Sequence, residues 1–301
     1  MSNIKIKKIQ NKLKEKNINT LIINRTDEFL NEYISEDSER LLWATDFSGS
    51  AGRAIVSQNA ATLFVDGRYT FQAKEQLDTS QISIEHLNDF SKKLSGNFIK
   101  NECIAIDPRL HSIEETLKYV DLSVKSETKL YFTEDNLIDE LWDNKPIRNY
   151  GLVFDHPKNF AGIESSKKLE HVIETLDKNN LGAYFLSSLD SIAWLLNLRG
   201  SDILNTPLAF AFLLISLDDK PVLYVKIDMV EPLLKARLAK YINIEPIEKI
   251  KEVFNDLNHQ TKIGFDFKNS SYFFYDLAIK KNCVPSHLEN PCLIPKASKN
   301  A

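Results

Sequence analysis

Short apolar runs alternate with amphipathic stretches along the whole chain. β-branched and aromatic residues dominate the short runs, whereas apolar positions recur every three or four residues in the longer stretches. The first pattern indicates strands and the second indicates helices, so an α/β protein is predicted. The predicted strands are residues 21–24, 53–57, 62–65, 82–85, 104–106, 183–186, 209–216, 222–225, 242–245 and 262–265. The predicted helices are residues 5–15, 69–77, 113–120, 165–177, 191–196, 230–238 and 247–257.

The second half of the chain repeats the order of the first. The offset is about 150 residues at first and about 160 later, far longer than the roughly 20 to 50 residues of a solenoid repeat. Four ordered matches therefore predict duplicated domains. The matched segments are 4–24 with 168–187, 40–50 with 193–202, 62–66 with 222–226, and 104–107 with 263–266.

A connector without helix or strand periodicity separates the two halves. Pro146, Gly151, Pro157 and Gly162 interrupt every periodic pattern there, as turn and loop residues do. A length of 301 residues is enough for two domains that each bury a core. We expect the boundary near residue 155. The expected divisions are a first domain over 1–155, a second over 156–295 and a short final segment over 296–301.

Charge and composition exclude several classes of protein. The net charge is -4 and the pI is about 5.9, which leaves no positive footprint for nucleic acid. Lysines near the N-terminus alternate with apolar residues from Ile4 to Leu13, and this spacing predicts the solvated face of an amphipathic helix. A nucleic-acid arm is the alternative for this segment, and the acidic total disfavours it.

The sequence has no apolar stretch of the roughly 18 residues that a membrane span requires. The N-terminal segment also lacks the apolar core of a secretory signal. Cys103, Cys283 and Cys292 are scattered, without a C-x-x-C pair, which is typical of reduced thiols that fill a core. We therefore expect a cytoplasmic protein that binds neither membrane nor nucleic acid.

Three aspartates follow apolar strands, where catalytic carboxylates often lie. Asp66, Asp107 and Asp266 could converge on a cation in a metal-dependent nuclease. The favoured alternative is that Asp66, before Gly67, and Asp107, before Pro108, each accept backbone amides of their own turn. Asp266 belongs to the other copy of the repeat and need not approach them. The six histidines form no i, i+4 pair and no H-E-x-x-H element, so no zinc site is predicted.

Two short loops carry polar residues beside glycine. Residues 47–52 could cradle an anion through backbone amides, but they lack the Lys-Ser/Thr of a P-loop, so a tight bend is the favoured interpretation. Asn197, Arg199 and Asp202 lie within six residues and could bind carboxylate or amine groups. A surface pair between Arg199 and Asp202 that fixes the turn is the alternative, and spacing alone favours it.

Several of these segments resemble the Xaa-Pro aminopeptidases (aminopeptidase P). The run Leu-Asp-Ser-Ile-Ala-Trp-Leu-Leu-Asn-Leu-Arg-Gly-Ser-Asp over residues 189–202 is highly specific. The resemblance extends in order along essentially the whole chain. The segments that carry it are 41–52 and 64–69 for the first domain, 137–142 for its end, 189–202 for the second domain and 295–300 for the join to a third.

The resemblance implies two creatinase-type N-terminal domains, each with a mixed sheet flanked by helices. In the three-domain members, a pita-bread domain holds two divalent metal ions, manganese or zinc, and removes the N-terminal residue from peptides with proline second. We expect this chain to stop where that domain would begin. No catalytic residue, metal ligand or cofactor of its own is therefore assigned to it.

The resemblance also implies a role in peptide binding for a few residues. Arg68 matches the arginine of the family's Asp-Gly-Arg-Tyr element near bound substrate, with an ion pair to Asp66 as the alternative. The peptide-binding cleft of the enzyme is expected to be lined in part by Asn197, Arg199 and Asp202. The chain is expected to be the non-catalytic portion of a cytoplasmic Xaa-Pro aminopeptidase. Its assembly into a homodimer is compatible with this expectation. A stand-alone binding or scaffolding module and a related pita-bread dipeptidase are the alternatives.

Overall fold

The computed structural model describes residues 2–298 of the chain. The chain divides into two compact units, residues 1–148 and residues 149–301. This division lies a few residues before the boundary expected near residue 155. The reason is local, because the strand Val153–Asp155 pairs with a strand of the second unit.

The first unit is a six-stranded mixed sheet with helices. Its strands are β1 (Thr20–Asn24), β2 (Gly52–Ser57), β3 (Ala61–Val65), β4 (Ser83–His86), β5 (Cys103–Ile106) and β6 (Lys129–Phe132). The sheet order is β4-β3-β2-β1-β5-β6, with antiparallel pairing of β2 to its two neighbours and parallel pairing elsewhere. Its helices are α1 (Ser2–Glu15), α2 (Arg40–Thr45), α3 (Thr70–Gln76), α4 (Phe90–Ser95) and α5 (Ile113–Ser126).

The second unit has a sheet of the same design and one extra ladder. Its strands are β7 (Val153–Asp155), β8 (Ala183–Leu186), β9 (Leu198–Gly200), β10 (Ala211–Ser216), β11 (Val222–Val225), β12 (Asn243–Pro246), β13 (Lys262–Phe265) and β14 (Val284–His287). Its helices are α6 (Lys158–Ala161), α7 (Ser165–Lys178), α8 (Leu189–Leu196), α9 (Pro232–Leu238), α10 (Tyr272–Lys280) and α11 (Leu293–Ala297). The sheet order is β12-β11-β10-β8-β13-β14, and β7 pairs with β9 in a separate antiparallel ladder.

The two sheets match strand for strand in order and direction. The central antiparallel strand is β2 in one unit and β10 in the other, and parallel strands flank both sheets in the same way. This match confirms the predicted α/β fold with two mixed sheets flanked by helices. The repeat seen in the sequence is therefore a repeat of one topology.

Each unit has a core made by its own helices and sheet. On α1, Ile6, Ile9 and Leu13 are almost completely buried, and on α7 Leu169 and Val172 are buried at similar spacing. Such i, i+3, i+7 patterns turn one face of a helix toward the sheet. The described lysines of α1 lie on its other faces, where Lys5 pairs with Asp46 at 2.6 Å and Lys12 pairs with Glu140 at 3.1 Å.

Most elements that the sequence pattern missed are short or lie at sheet edges, but the nine-residue helix α10 (Tyr272–Lys280) was missed as well. β6 and β14 are edge strands with mostly half-buried residues, so they lack the continuous apolar run of the central strands. The helix predicted over residues 247–257 is wrong in type, because Ile247–Glu252 forms a 3-10 helix instead. No helix within residues 2–298 is long and apolar enough to cross a membrane.

Candidate functional site

The polar segment 197–202 of the second unit is partly a strand, which corrects its prediction as a loop. Asn197 ends α8 in the left-handed conformation, with φ of 50°. Residues 198–200 then form β9 and pair with β7. Since side chains alternate along a strand, Leu198 and Gly200 are buried while the half-buried Arg199 faces the other way.

Asn197 is buried at the centre of a hydrogen-bond network. Its Oδ1 accepts a bond of 2.6 Å from the ammonium of Lys168, and its Nδ2 donates to the carbonyl of Ile163 at 2.8 Å. Its backbone carbonyl accepts from the backbone N–H of His156 at 2.9 Å. Asn197 is only 3% exposed, so it holds neighbouring groups in place and offers little surface to a ligand.

Arg199 reaches backbone carbonyls. Its Nη1 donates to the carbonyl of Leu198 at 2.8 Å and, more weakly, to that of Ala193 at 3.4 Å. Burial lowers the pKa of its guanidinium. Among residues 4–298, no carboxylate forms a salt bridge with Arg199, so its positive charge is available to a bound group.

Asp202 fixes the backbone around the turn. One carboxylate oxygen accepts from the backbone N–H of Gly151 and the other accepts from that of Phe210 at 2.5 Å. These bonds fasten the start of the second unit to the chain after β9. Asp202 is not among the residues that line the cleft around Arg199. The structure therefore brings Asn197 and Arg199 together at a cleft and turns Asp202 toward the backbone.

Lys168 is a site residue that the sequence analysis did not single out. It is 4% exposed, and its ammonium donates to the carbonyl of Trp194 at 2.8 Å as well as to Asn197. The ammonium lies 4.4 Å from the ring centroid of Trp194, which is cation–π distance. Burial, and then the nearby charge of Arg199, lower the pKa of Lys168 to about 8.

A signal for Lys168 was present in the sequence. It immediately precedes Leu169 on the apolar face of α7, which continues through Val172 and Leu176. Lysine is almost never fully buried unless it is paired, so a lysine on that face indicates a specific partner. Lys168, Trp194, Asn197 and Arg199 line one cleft with a volume of about 150 Å³.

Arg68 lies in the first unit, on the turn that follows β3. Its Nε donates to Asp66 at 2.9 Å, and the same oxygen accepts the backbone N–H of Arg68 at 3.0 Å. The pair lowers the pKa of the Asp66 carboxyl. The ion pair that the sequence analysis weighed is thus present. The Arg68 side chain is nevertheless 73% exposed, so the pair leaves its guanidinium accessible to solvent.

The small-residue loop of the first unit is occupied by its own neighbours. The hydroxyl of Ser48 accepts bonds from Gln72 and Gln76 on α3, and the backbone N–H of Ser48 donates to Gln76. Ser50 shares a hydrogen bond of 2.6 Å with the hydroxyl of Tyr69. These contacts agree with the interpretation as a tight bend packed on α3.

The three aspartates after the strands accept amides of their own turns, which was predicted for Asp66 and Asp107. Asp66 and Asp107 each accept the backbone N–H two residues further on, and Asp266 does the same. Among residues 4–298, no group of three or more His, Cys, Asp and Glu side chains is arranged to hold a metal ion. The described residues therefore do not provide a donor set for the two metal ions that the resemblance implies.

Comparison with known proteins gives a family of the same description for each half. Residues 5–129 and residues 144–301 each match a family described as the creatinase/prolidase N-terminal domain. Among solved structures, an X-prolyl aminopeptidase from Caenorhabditis elegans, described as a cytosolic enzyme with a di-nuclear active site, superposes with a TM-score of 0.90. It is 22% identical, and the match covers 100% of this chain and 52% of that one.

Curated relatives carry the same kind of name. A probable Xaa-Pro aminopeptidase P of Talaromyces marneffei is 31% identical over 243 residues, covering 79% of this chain and 37% of the relative. One from Coccidioides posadasii is 28% identical over 309 residues, covering 99% of this chain and 47% of the relative. This chain thus spans less than half the length of either relative. The two halves match two family models of the same description, and both units have the same sheet, so the chain belongs to the creatinase/prolidase N-terminal domains and carries two of them.

Proposed function

We propose that the chain is the non-catalytic, two-domain N-terminal portion of a cytoplasmic Xaa-Pro aminopeptidase. The observation that carries this proposal is the alignment with the Coccidioides posadasii relative, which runs through 99% of this chain but 47% of the relative. Peptides with proline second are the proposed substrates. Release of the N-terminal residue, and the two divalent metal ions that serve it, are assigned to the part of the relatives that this chain does not cover.

The role proposed for these two domains is to bind and guide the peptide. Arg68 supports this role in the first domain because its guanidinium is exposed although it pairs with Asp66. Arg199 supports it in the second domain because its charge lies at a cleft and has no carboxylate partner among residues 4–298. Both guanidinium groups could hold peptide carbonyls or carboxylates through charge-assisted hydrogen bonds.

The first test is an activity assay on the 301-residue chain. The purified protein is incubated with manganese or zinc and a tripeptide that has proline second, and release of the N-terminal residue is followed by mass spectrometry. No release is expected, because residues 4–298 contain no cluster of metal ligands. Metal-dependent, saturable release by the pure chain would sink the proposal.

The second test measures whether Arg68 contributes to peptide binding. In a fusion of this chain to the uncovered part of the Coccidioides posadasii relative, Arg68→Ala is expected to raise KM about tenfold, since a charge-assisted hydrogen bond contributes about 1.5–3 kcal/mol. Lys92→Ala, at another exposed position of the first domain, is the control and should leave KM unchanged. Unchanged KM and kcat in the Arg68 variant would remove Arg68 from the proposed binding surface.

A further inference from the structure

The cleft of the second unit gathers more positive charge than its own residues neutralise. Besides Lys168 and Arg199, the imidazole of His156 and the ammonium of Lys296 lie on its lining. Burial and repulsion from Arg199 and Lys168 lower the pKa of His156, and repulsion from Arg199 adds to burial in lowering that of Lys168. These like charges therefore lie close enough to destabilise one another.

Two carboxylates close to the cleft in sequence or through a lining residue, Asp155 and Asp190, form ion pairs with other groups. Asp155 pairs with Arg237 at 2.8 Å. Asp190 pairs with Lys296, which also donates to Ser191. Neither Lys168 nor Arg199 has a salt bridge among residues 4–298, and neither has a further partner there. Buried charges are normally paired, so a cluster of this kind favours a bound anion.

Hydrogen-bond donors remain for such an anion. The ammonium of Lys168 has three N–H groups, and two of them are used by the carbonyl of Trp194 and the amide of Asn197. The guanidinium of Arg199 has five N–H groups, and both of its hydrogen bonds go through Nη1. The free fork of an arginine fits the two oxygens of a carboxylate better than a single point charge does.

The cleft also has an aromatic side. The half-buried ring of Trp194 forms one wall, and Phe160 lies on the rim with 68% of its surface exposed. The ring of Phe160 lies 6.1 Å from that of His156. An apolar group attached to the anion would remove Phe160 from water, a gain that an inorganic anion cannot provide. A volume of about 150 Å³ accommodates a carboxylate with one side chain.

We propose that this cleft binds the C-terminal carboxylate of a short peptide, with Lys168 and Arg199 as its ligands and Phe160 beside its last side chain. The inference that the cleft binds an anion depends only on the contacts of its lining residues. The identification of the anion as a peptide terminus rests on the proposed function. A site for the far end of the peptide would give this domain a means of limiting substrate length.

The test uses the fluorescence of Trp194, which is the single tryptophan of the second unit. The other two, Trp43 and Trp142, stack on each other in the first unit. The full chain is titrated at low ionic strength with the tripeptide Ala-Pro-Phe, with its C-terminal amide and with inorganic phosphate. We expect saturable binding of the free acid, at least tenfold weaker binding of the amide, and phosphate binding weaker than that of the peptide.

Variants separate the charge from the fold. Arg199→Gln and Lys168→Met should each weaken peptide binding at least tenfold, and Lys240→Gln, at an exposed position of the same unit, should not. Phe160→Ala should weaken binding of the peptide several-fold and leave the affinity for phosphate unchanged. Because Lys168 is buried, circular dichroism and the unfolding midpoint are recorded for its variant, and Arg199→Gln decides the outcome if that variant is unfolded.

Two results would overturn the proposal. One is equal affinity for the acid and the amide, or wild-type affinity in the Arg199→Gln variant. The other is phosphate binding as tight as peptide binding, since this would mean general anion binding only. Failure here is distinct from failure of the proposed function. Peptide hydrolysis by the chain alone would overturn the proposed function but would not affect the evidence for anion binding in the cleft. Absence of peptide binding, together with the expected absence of hydrolysis, would overturn only the binding proposal.

Discussion

Asp27 has a carboxyl group with no exposed surface in the core of the first unit. It accepts the backbone N–H groups of Phe29 and Asn31 at 3.0 Å and the side chain of Asn31 at 3.1 Å. Burial, and after it the charge of Glu28, raise the pKa of Asp27 to about 6, because both disfavour the ionised form. Protonation of this group therefore stabilises the folded state.

The pH dependence of stability follows from that direction. The folded pKa lies above the unfolded value of 3.8, so the contribution is full below about pH 4 and is lost as pH rises through about 6. Relative to Asp27→Asn, the wild type should lose about 2 kcal/mol of unfolding free energy between pH 4 and pH 7. Urea denaturation of both proteins across this range measures the difference. Parallel stability curves would contradict the shift.

The site residues show what a sequence can reveal at this scale. Asn197 and Arg199 were predicted because they lie close together beside a glycine in a distinctive run, and the structure places both at one cleft. His156, Lys168 and Lys296 come from distant parts of the chain and meet only through tertiary packing. Asp202 had the residue type of a ligand-binding group, but the two backbone amides that it accepts come from Gly151 and Phe210, which spacing does not reveal.

At the scale of elements, each unit links the aspartate after one strand to an asparagine after the neighbouring edge strand, through a side-chain amide in the first unit and a backbone amide in the second. In the first unit, Asn136 donates to Asp107 at 2.8 Å and accepts the backbone N–H of Ile138. In the second, the backbone N–H of Asn290 reaches Asp266, and its side-chain oxygen accepts the N–H of Cys292. The segments after β6 and β14 are thus held to the turns after β5 and β13. The two aspartates thus have related structural roles at equivalent positions of the two units.

The ladder of β7 and β9 depends on a close approach at Gly200. A Cβ there would lie 2.5 Å from the backbone nitrogen of Ala209 and 2.6 Å from its Cα, closer than real Cβ atoms come. Gly200→Ala should therefore cost about 1–3 kcal/mol of unfolding free energy, as overpacking typically does. Gly67→Ala is the matched control, since its nearest atom would be the His86 Nε2 at an ordinary 3.5 Å.

Chemical denaturation of the two glycine variants measures this difference. A loss confined to Gly200→Ala is the expected result. Equal midpoints for both variants would show that the backbone around Ala209 can move away from a new Cβ at little cost in unfolding free energy. The close approach at Gly200 would then contribute little to stability. Strand β9 was missed by the sequence pattern for the same reason that it is sensitive: it has three residues, and a neighbouring backbone rather than apolar periodicity defines it.

At the scale of the whole molecule, the duplication was the strongest prediction. It required only that equivalent segments recur in order, which is a property of the sequence. The position of the division was harder to predict. Pro146 and Pro157 both interrupt the pattern, and only three-dimensional pairing assigns the residues between them. Arg148 pairs with Glu28 and Asp37 of the first unit, whereas β7 pairs with β9 of the second.

The position of the division leads to a prediction about independent folding. The buried clusters of the first unit draw on residues 6–138, and that of the second draws on residues 153–292, so each unit has its own core. Fragments 1–148 and 149–301 should each unfold cooperatively when expressed alone. A fragment that begins at residue 156 should be less stable, because it lacks β7, the Asp155 partner of Arg237 and the Gly151 amide bound by Asp202.

Thermal unfolding of the 149–301 and 156–301 fragments gives a direct comparison. Loss of several hydrogen bonds and one half-buried ion pair should lower the midpoint by at least about 4 °C, since 1 kcal/mol shifts Tm by about 2–4 °C in a domain of this size. Equal midpoints would mean that residues 149–155 do not stabilise the second unit, in agreement with a domain boundary near the predicted residue 155. A non-cooperative transition in the 149–301 fragment would instead mean that its fold depends on the first unit, and the duplicated halves would then be one folding unit.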